Sequence, residues 1–294
     1  MENRLKLSIA IVLNMAIVIL QIIFGLYAHS MALITDAVHN FQDVVSLIIA
    51  YIAILFMAKK PTEKMTFGYL RSEVMAGFIN SAFLLGAVFL IITTSIERIF
   101  EPVEVESVYV IVMGGIAFVI NAFSAWLLGF HHGDKHDHQH EDLNIKAAYL
   151  HLLSDAGISL GVVVGGIVIY FYGINWVDPV ISILFSLYIL RETLPVVKKS
   201  YMILMESVPP GIETEEVKKA ILQNPKIVDV HDIHIWALSS KDIYLSVHVV
   251  FEKKEDLLDF ETVLTDVENS LKKLGIHHIT IQPEIKGFKC ETIY

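Results

Sequence analysis

The chain has 294 residues, 54% of them hydrophobic, with a formal net charge of −10 and one cysteine. Its mean hydropathy of +0.59 is too high for an ordinary soluble protein. The acidic balance, with aromatics set in apolar runs rather than basic patches, argues against a nucleic-acid partner, and the lone Cys290 excludes an internal disulfide.

Six apolar runs, at about residues 7–28, 32–57, 74–97, 107–130, 145–172 and 177–197, have the length that a helix needs to cross a bilayer. They predict an α-helical polytopic membrane protein with six transmembrane helices, embedded in lipid over residues 1–204. The first run lacks a convincing cleavage site and is longer than the apolar region of a signal peptide, so it reads as a helix. Lys and Arg gather at Arg4 and Lys6, at Lys59, Lys60, Lys64 and Arg71, and at Lys198 and Lys199. The alternate connections, residues 27–30, 101–106 and 173–178, carry none. That asymmetry puts both termini in the cytoplasm. The short loops and compact length favour a prokaryotic inner membrane.

Between the fourth and fifth runs, residues 131–142 read HHGDKHDHQHED. Histidines 131, 132, 136, 138 and 140 among acids favour weak, fluxional metal binding without a packed core, close to a cytoplasmic pore entrance. The plainer alternative is a solvated linker.

Beyond Pro209-Pro210-Gly211 the texture turns charged and alternating, which predicts a cytoplasmic domain over residues 205–294. A helix is expected at 213–223, strands at 227–238 and 243–251 joined by a turn at 239–242, a helix at 254–274 ended by Gly275, and a strand at 278–285. The order αββαβ suggests an open-faced α+β sandwich of the metallochaperone or ferredoxin-like kind. A domain this small has a limited core, so dimerisation would help it.

The residues that carry chemistry lie in the membrane. His39 and Asp43 share one face of the second helix, and His151 and Asp155, at the same spacing, share one face of the fifth. Two imidazoles and two carboxylates make a donor set suited to Zn²⁺. The first pair lies roughly 9–13 residues from the outer end of its helix and the second roughly 5–9 residues from the cytoplasmic end of its own, so the antiparallel pairs come to a similar depth. Two ionised Asp and two neutral His give the set a charge of −2, which Zn²⁺ neutralises. Release of the metal would strand that charge in a low dielectric, so protons should replace it. Histidine, which titrates near neutrality, suits that exchange.

Among the other polar residues, Asp36 is expected to orient a ligand, to relay protons or simply to meet water at the helix mouth. Asn40 and Ser154 are either partners of the ligands or packing groups. Asp178 reads as an ordinary acid at the start of the sixth helix. Gly161, Gly165 and Gly166 would permit close helix packing. In the cytoplasmic domain, His231 and His248 come from paired strands and Glu284 from the last one, a candidate site for a regulatory Zn²⁺. His234, His277, His278 and Gln282 are nearby alternatives. His231 and His234, an odd number of residues apart, are not expected to share a strand face.

The segments LITDAVHNFQD (residues 33–43), FGYLRSE (67–73), HLLSDAGIS (151–159) and VHDIHIWAL (230–238) resemble the cation diffusion facilitator family over nearly the whole chain. The resemblance implies a homodimer of six-helix protomers with a cytoplasmic metallochaperone-like domain, exchanging metal for protons by alternating access. It implies a transport site at His39, Asp43, His151 and Asp155, and a cytoplasmic site at His231, His248 and Glu284. His–Asp on both helices resembles the zinc-transporting branch. Tyr69 stands where some bacterial relatives carry a histidine, so their extra site in the second loop is not expected here.

Two rivals remain at this point. An intramembrane zinc hydrolase needs an open metal position and a general base, and no HExxH occurs in the chain. A zinc-gated channel or metal sensor would keep the metal sites without coupled transport. Preference for Zn²⁺ over Cd²⁺ or Co²⁺ is not legible in the donor set.

Overall fold

The computed structural model describes residues 2–129 and 139–287, with side chains described from residue 15 onward except for 127–129, 139–148 and Leu257. The element order is α1 (Glu2–Tyr27), α2 (Met31–Met57), α3 (Ser72–Phe100), α4 (Ser107–Gly129), α5 (Gln139–Tyr172), α6 (Val177–Leu204), α7 (Thr214–Leu222), β1 (Ile227–Ala237), β2 (Ile243–Phe251), α8 (Phe260–Lys272) and β3 (His278–Ile285). The helical membrane part and the small α+β domain are both as expected. Among the described residues α2 to α6 are long and apolar enough to cross a membrane, and α1 adds the apolar stretch Met15–Tyr27. The histidine run lies outside the described residues as far as His138, whereas Gln139–Asp142 already belong to α5, which starts earlier than expected.

The chain divides into two compact units, residues 1–49 with 80–195, and residues 50–79 with 196–294. In the first unit α4 packs along α5 and α1. Small residues on α5 make this possible: a Cβ at Gly166 would lie 2.9 Å from Ile111 Cγ1 and 3.3 Å from the Ile111 backbone nitrogen. Large apolar side chains such as Phe83 and Phe89 point outward, as a lipid-facing surface requires.

Several polar groups buried in this unit satisfy one another. Asp178, at the start of α6, does not serve its own helix in the way the sequence suggested. Its carboxylate accepts from Ser30 Oγ at 2.5 Å and from the Met31 backbone N–H at 2.5 Å, capping the N-terminus of α2. One turn further along, Thr35, Ser182 and Ser95 link α2, α6 and α3 through hydroxyl contacts of 2.7 and 2.9 Å.

The second unit holds the sheet, in the order β1-β2-β3. β1 and β2 are antiparallel, and β3 runs parallel to β2 after the α8 crossover. Val217 and Ile221 on α7, and Val263, Val267 and Leu271 on α8, repeat at one-turn intervals and bury against Val230, Ile235, Leu245, Val247, Val249 and Phe251. The helices therefore cover one face of the sheet. The opposite face carries residues 231, 246, 248, 250, 282 and 284 by pairing. The predicted 254–274 helix is regular only from Phe260, because Lys254–Asp259 form a 3₁₀ turn.

The same unit explains the FGYLRSE segment. The Arg71 guanidinium donates to Glu206 at 2.5 Å, Glu73 accepts from the Ser240 hydroxyl at 2.8 Å, and the Phe67 ring meets Tyr244 edge-on at 5.4 Å. Val74, Ile203 and Ala237 bury one another beside these polar contacts.

Candidate metal sites

α2 and α5 present their pairs to each other crosswise. His39 Nε2 lies 3.3 Å from Asp155 Oδ1, and His151 Nε2 lies 3.3 Å from Asp43 Oδ2 and 3.7 Å from Asp155 Oδ2. The ligand atoms of His39, Asp43 and Asp155 lie within 4.8 Å of one another. His151 completes the set through its two carboxylate contacts, its ring centroid 6.1 Å from that of His39. Four donors each about 2.0–2.2 Å from a tetrahedral Zn²⁺ would stand roughly 3.3–3.6 Å apart. The two interhelical carboxylate–imidazole spacings of 3.3 Å between His39 and Asp155 and between His151 and Asp43 match that figure.

Two details favour a cation among these groups. His39 Nδ1 is buried without a hydrogen-bond partner among the described residues, and Asp155 Oδ1 makes no well-aligned hydrogen bond beyond its 3.3 Å approach to His39 Nε2, an arrangement that proteins rarely leave unexplained. The burial is also graded. The side chains of His39 and Asp155 are 12% and 4% exposed, whereas those of Asp43 and His151 are 34% and 50% exposed. The site is closed on one side and open on the other.

Asp36 is fully buried rather than water-exposed at a helix mouth. Its carboxylate accepts from Gln21 Nε2 at 2.6 Å, Ser159 Oγ at 3.0 Å and Asn40 Nδ2 at 3.3 Å, tying α1, α2 and α5 together one turn from His39. Asn40 therefore serves Asp36. Ser154 turns to its own helix, donating to the Leu150 carbonyl at 3.0 Å. Gln21 and Ser159 were not singled out from the sequence, since nothing local marks them as partners of an acid more than ten residues away.

On the open face of the sheet, His231 Nε2 lies 3.3 Å from Glu284 Oε2 and His248 Nδ1 lies 2.9 Å from Glu284 Oε1. The three ligand atoms fall within 4.8 Å of one another, and Glu284 is buried. Two nitrogens around a buried carboxylate fit a zinc ion, which when bound would join all three strands. Gln282 donates to Glu284 at 3.1 Å, and His278 instead lies against Tyr244 with ring centroids 4.6 Å apart.

Contrary to expectation, His231 and His234 share a face of the sheet. The register slips between them, so that His231 pairs with His248 and His234 with Ser246. An extra residue in β1 makes a bulge, and the odd separation then returns both histidines to one face. The bulge also brings in Asp232, overlooked in the sequence, whose Oδ2 is 3.3 Å from His248 Nε2 and whose Oδ1 is 3.1 Å from His234 Nε2.

Residues 7–205 match the cation efflux transmembrane domain, and residues 209–286 match the cytoplasmic domain of cation efflux proteins. The chain belongs to the cation efflux family, the cation diffusion facilitators. It is 35% identical over 285 residues to the cadmium, cobalt and zinc/H⁺-K⁺ antiporter of Bacillus subtilis (strain 168), covering 97% of this chain and 90% of that protein. It is 36% identical over 288 residues to the metal cation efflux system protein CzcD of Cupriavidus metallidurans, covering 96% and 87%. With the zinc transporter ZitB of Escherichia coli (strain K12) it shares 31% identity over 285 residues, covering 96% and 88%. This cation efflux protein is a membrane transporter of divalent metal cations, and the hydrolase reading falls because the family and these relatives transport rather than catalyse.

Proposed function

We propose that the chain exports Zn²⁺ from the cytoplasm in exchange for protons, by alternating access, with His39, Asp43, His151 and Asp155 as the transport site. The observation that carries this reading is the crosswise pairing of each imidazole with a carboxylate of the opposite helix, at 3.3 Å in both cases. Zn²⁺ held by two carboxylates and two neutral imidazoles leaves the set neutral. Protonated His39 and His151 paired with Asp155 and Asp43 leave it neutral as well. The two loads are therefore interchangeable without burying a net charge in the bilayer, which would be costly.

The names of the relatives support the cargo and the coupling, since they include zinc transport and H⁺ antiport. The same names include cadmium and cobalt, ions that the donor set would also accept. With both termini in the cytoplasm, as the basic loops imply, Asp43 and His151 are the ligands nearer the cytoplasmic side. Their greater exposure then corresponds to a site open inward, ready to load.

In this reading the sheet site at His231, His248 and Glu284 holds a regulatory Zn²⁺, and the cytoplasmic domain, residues 205–294, mediates a homodimer in a prokaryotic inner membrane. Proteoliposomes test the coupling. Zinc flux should rise with an imposed pH gradient and collapse when a protonophore dissipates it. Flux indifferent to the gradient would instead support a zinc-gated channel or metal sensor.

A further inference from the structure

The bulge in β1 places Asp232 at φ 51°, a left-handed conformation uncommon outside Gly, Asn and Asp. That backbone turn brings the carboxylate to the open face of the sheet, where it stands between two histidines. Oδ1 is 3.1 Å from His234 Nε2 and Oδ2 is 3.3 Å from His248 Nε2. The other nitrogen of His248, Nδ1, lies 2.9 Å from Glu284 Oε1. The ring thus has a carboxylate at each nitrogen, and the two have different surroundings. Glu284 also meets His231 at 3.3 Å and belongs to the donor group with His231 and His248, whereas Asp232 does not.

A ligating imidazole must present a nitrogen without a proton, and in the neutral ring the proton then sits on the other nitrogen. The partner of that second nitrogen decides which one faces the ion. We infer that Asp232 is the positioning residue of the sheet site: it takes the Nε2–H of His248 and so commits Nδ1 to the metal held by His231 and Glu284. The inference rests on reading those three residues as a metal site. It goes further by assigning a ligand atom to His248 and a role to the bulge. Asp suits the position because it tolerates the left-handed backbone and carries an acceptor within reach of the ring. Glycine would meet only the first requirement, and asparagine would meet both without the charge.

The test uses the full chain carrying Asp43→Ala and Asp155→Ala, which silence the membrane site, with histidine labelled by ¹⁵N. Zinc affinity is measured by chelator competition, and the imidazole ¹⁵N shifts are followed during zinc titration. The expected result is a zinc-bound His248 that ligates through Nδ1 and carries its proton on Nε2. Asp232→Gly should weaken zinc binding about 10- to 100-fold, the range found when the partner of a ligating histidine is removed, and should mix the two tautomers. Asp232→Asn should recover most of the affinity.

Three results would overturn the inference: Asp232→Gly binding as tightly as the parent, His248 ligating through Nε2, or affinity falling while the Nδ1 pattern stays unchanged. Should Asp232→Gly not fold, the tautomer of His248 in the zinc-bound parent decides alone, with Nε2–H supporting the assignment and Nδ1–H overturning it. Failure of the underlying metal-site reading looks different, because Glu284→Ala would then leave high-affinity zinc binding to the parent unchanged.

Discussion

Asp155 is the least exposed of the four proposed transport ligands and meets both histidines, so its loss should be the most damaging. Asp155→Ala should reduce zinc flux at least about 100-fold, because removing a direct ligand costs no less than removing a ligand's partner. A circular dichroism spectrum should show the helices retained. Flux near the native level would remove Asp155 from the site. His39→Asp replaces a borderline nitrogen by a hard oxygen and should broaden the accepted ions towards Mn²⁺, as flux across a panel of divalent metals would show. The two HxxxD pairs were legible because a four-residue spacing fixes one helical face without knowledge of the rest of the fold. Their crosswise pairing was not, since spacing on one helix says nothing of the rotation of another. Asp36 was visible as an anomaly, but its partners Gln21 and Ser159 come from other helices and leave no local signature.

Elements were legible to the extent that their hydrophobic period was regular. The six apolar runs became α1 to α6, and the alternating runs after residue 225 became the three strands. What failed was the register of β1. Two-residue alternation assumes an unbroken ladder, and a bulge is specified by the partner strand as much as by the strand itself. The capping of α2 by Asp178 escaped for a similar reason, because the donors and the acceptor are more than 140 residues apart in the chain. Asp178→Ala should cost about 1–2 kcal/mol, the usual price of a lost helix cap, read as a lower melting temperature in detergent. Gly166→Leu forces a side chain against the Ile111 backbone of α4 and should destabilise by about 1–3 kcal/mol in the same assay. In the sheet domain Leu271 is fully buried, and Leu271→Ala should cost about 2–5 kcal/mol in the denaturation of that domain.

At the scale of the molecule, a polytopic helical domain that carries the paired His–Asp residues is followed in the chain by a small sheet domain with a second candidate donor group. The loop between α2 and α3 belongs to the same compact unit as that sheet, through Phe67, Arg71 and Glu73. That arrangement gives the FGYLRSE segment a physical reason beyond family likeness. One divalent cation is proposed to be held among His39, Asp43, His151 and Asp155. Zinc K-edge X-ray absorption on the full chain, with the sheet site removed by His231→Ala and Glu284→Ala, tests this placement most directly. Four nitrogen and oxygen neighbours are expected at about 2.0–2.1 Å with scattering from two imidazoles, and one imidazole shell should be lost in His151→Ala. A zinc environment with one imidazole or none, or one that His151→Ala leaves unchanged, would contradict it.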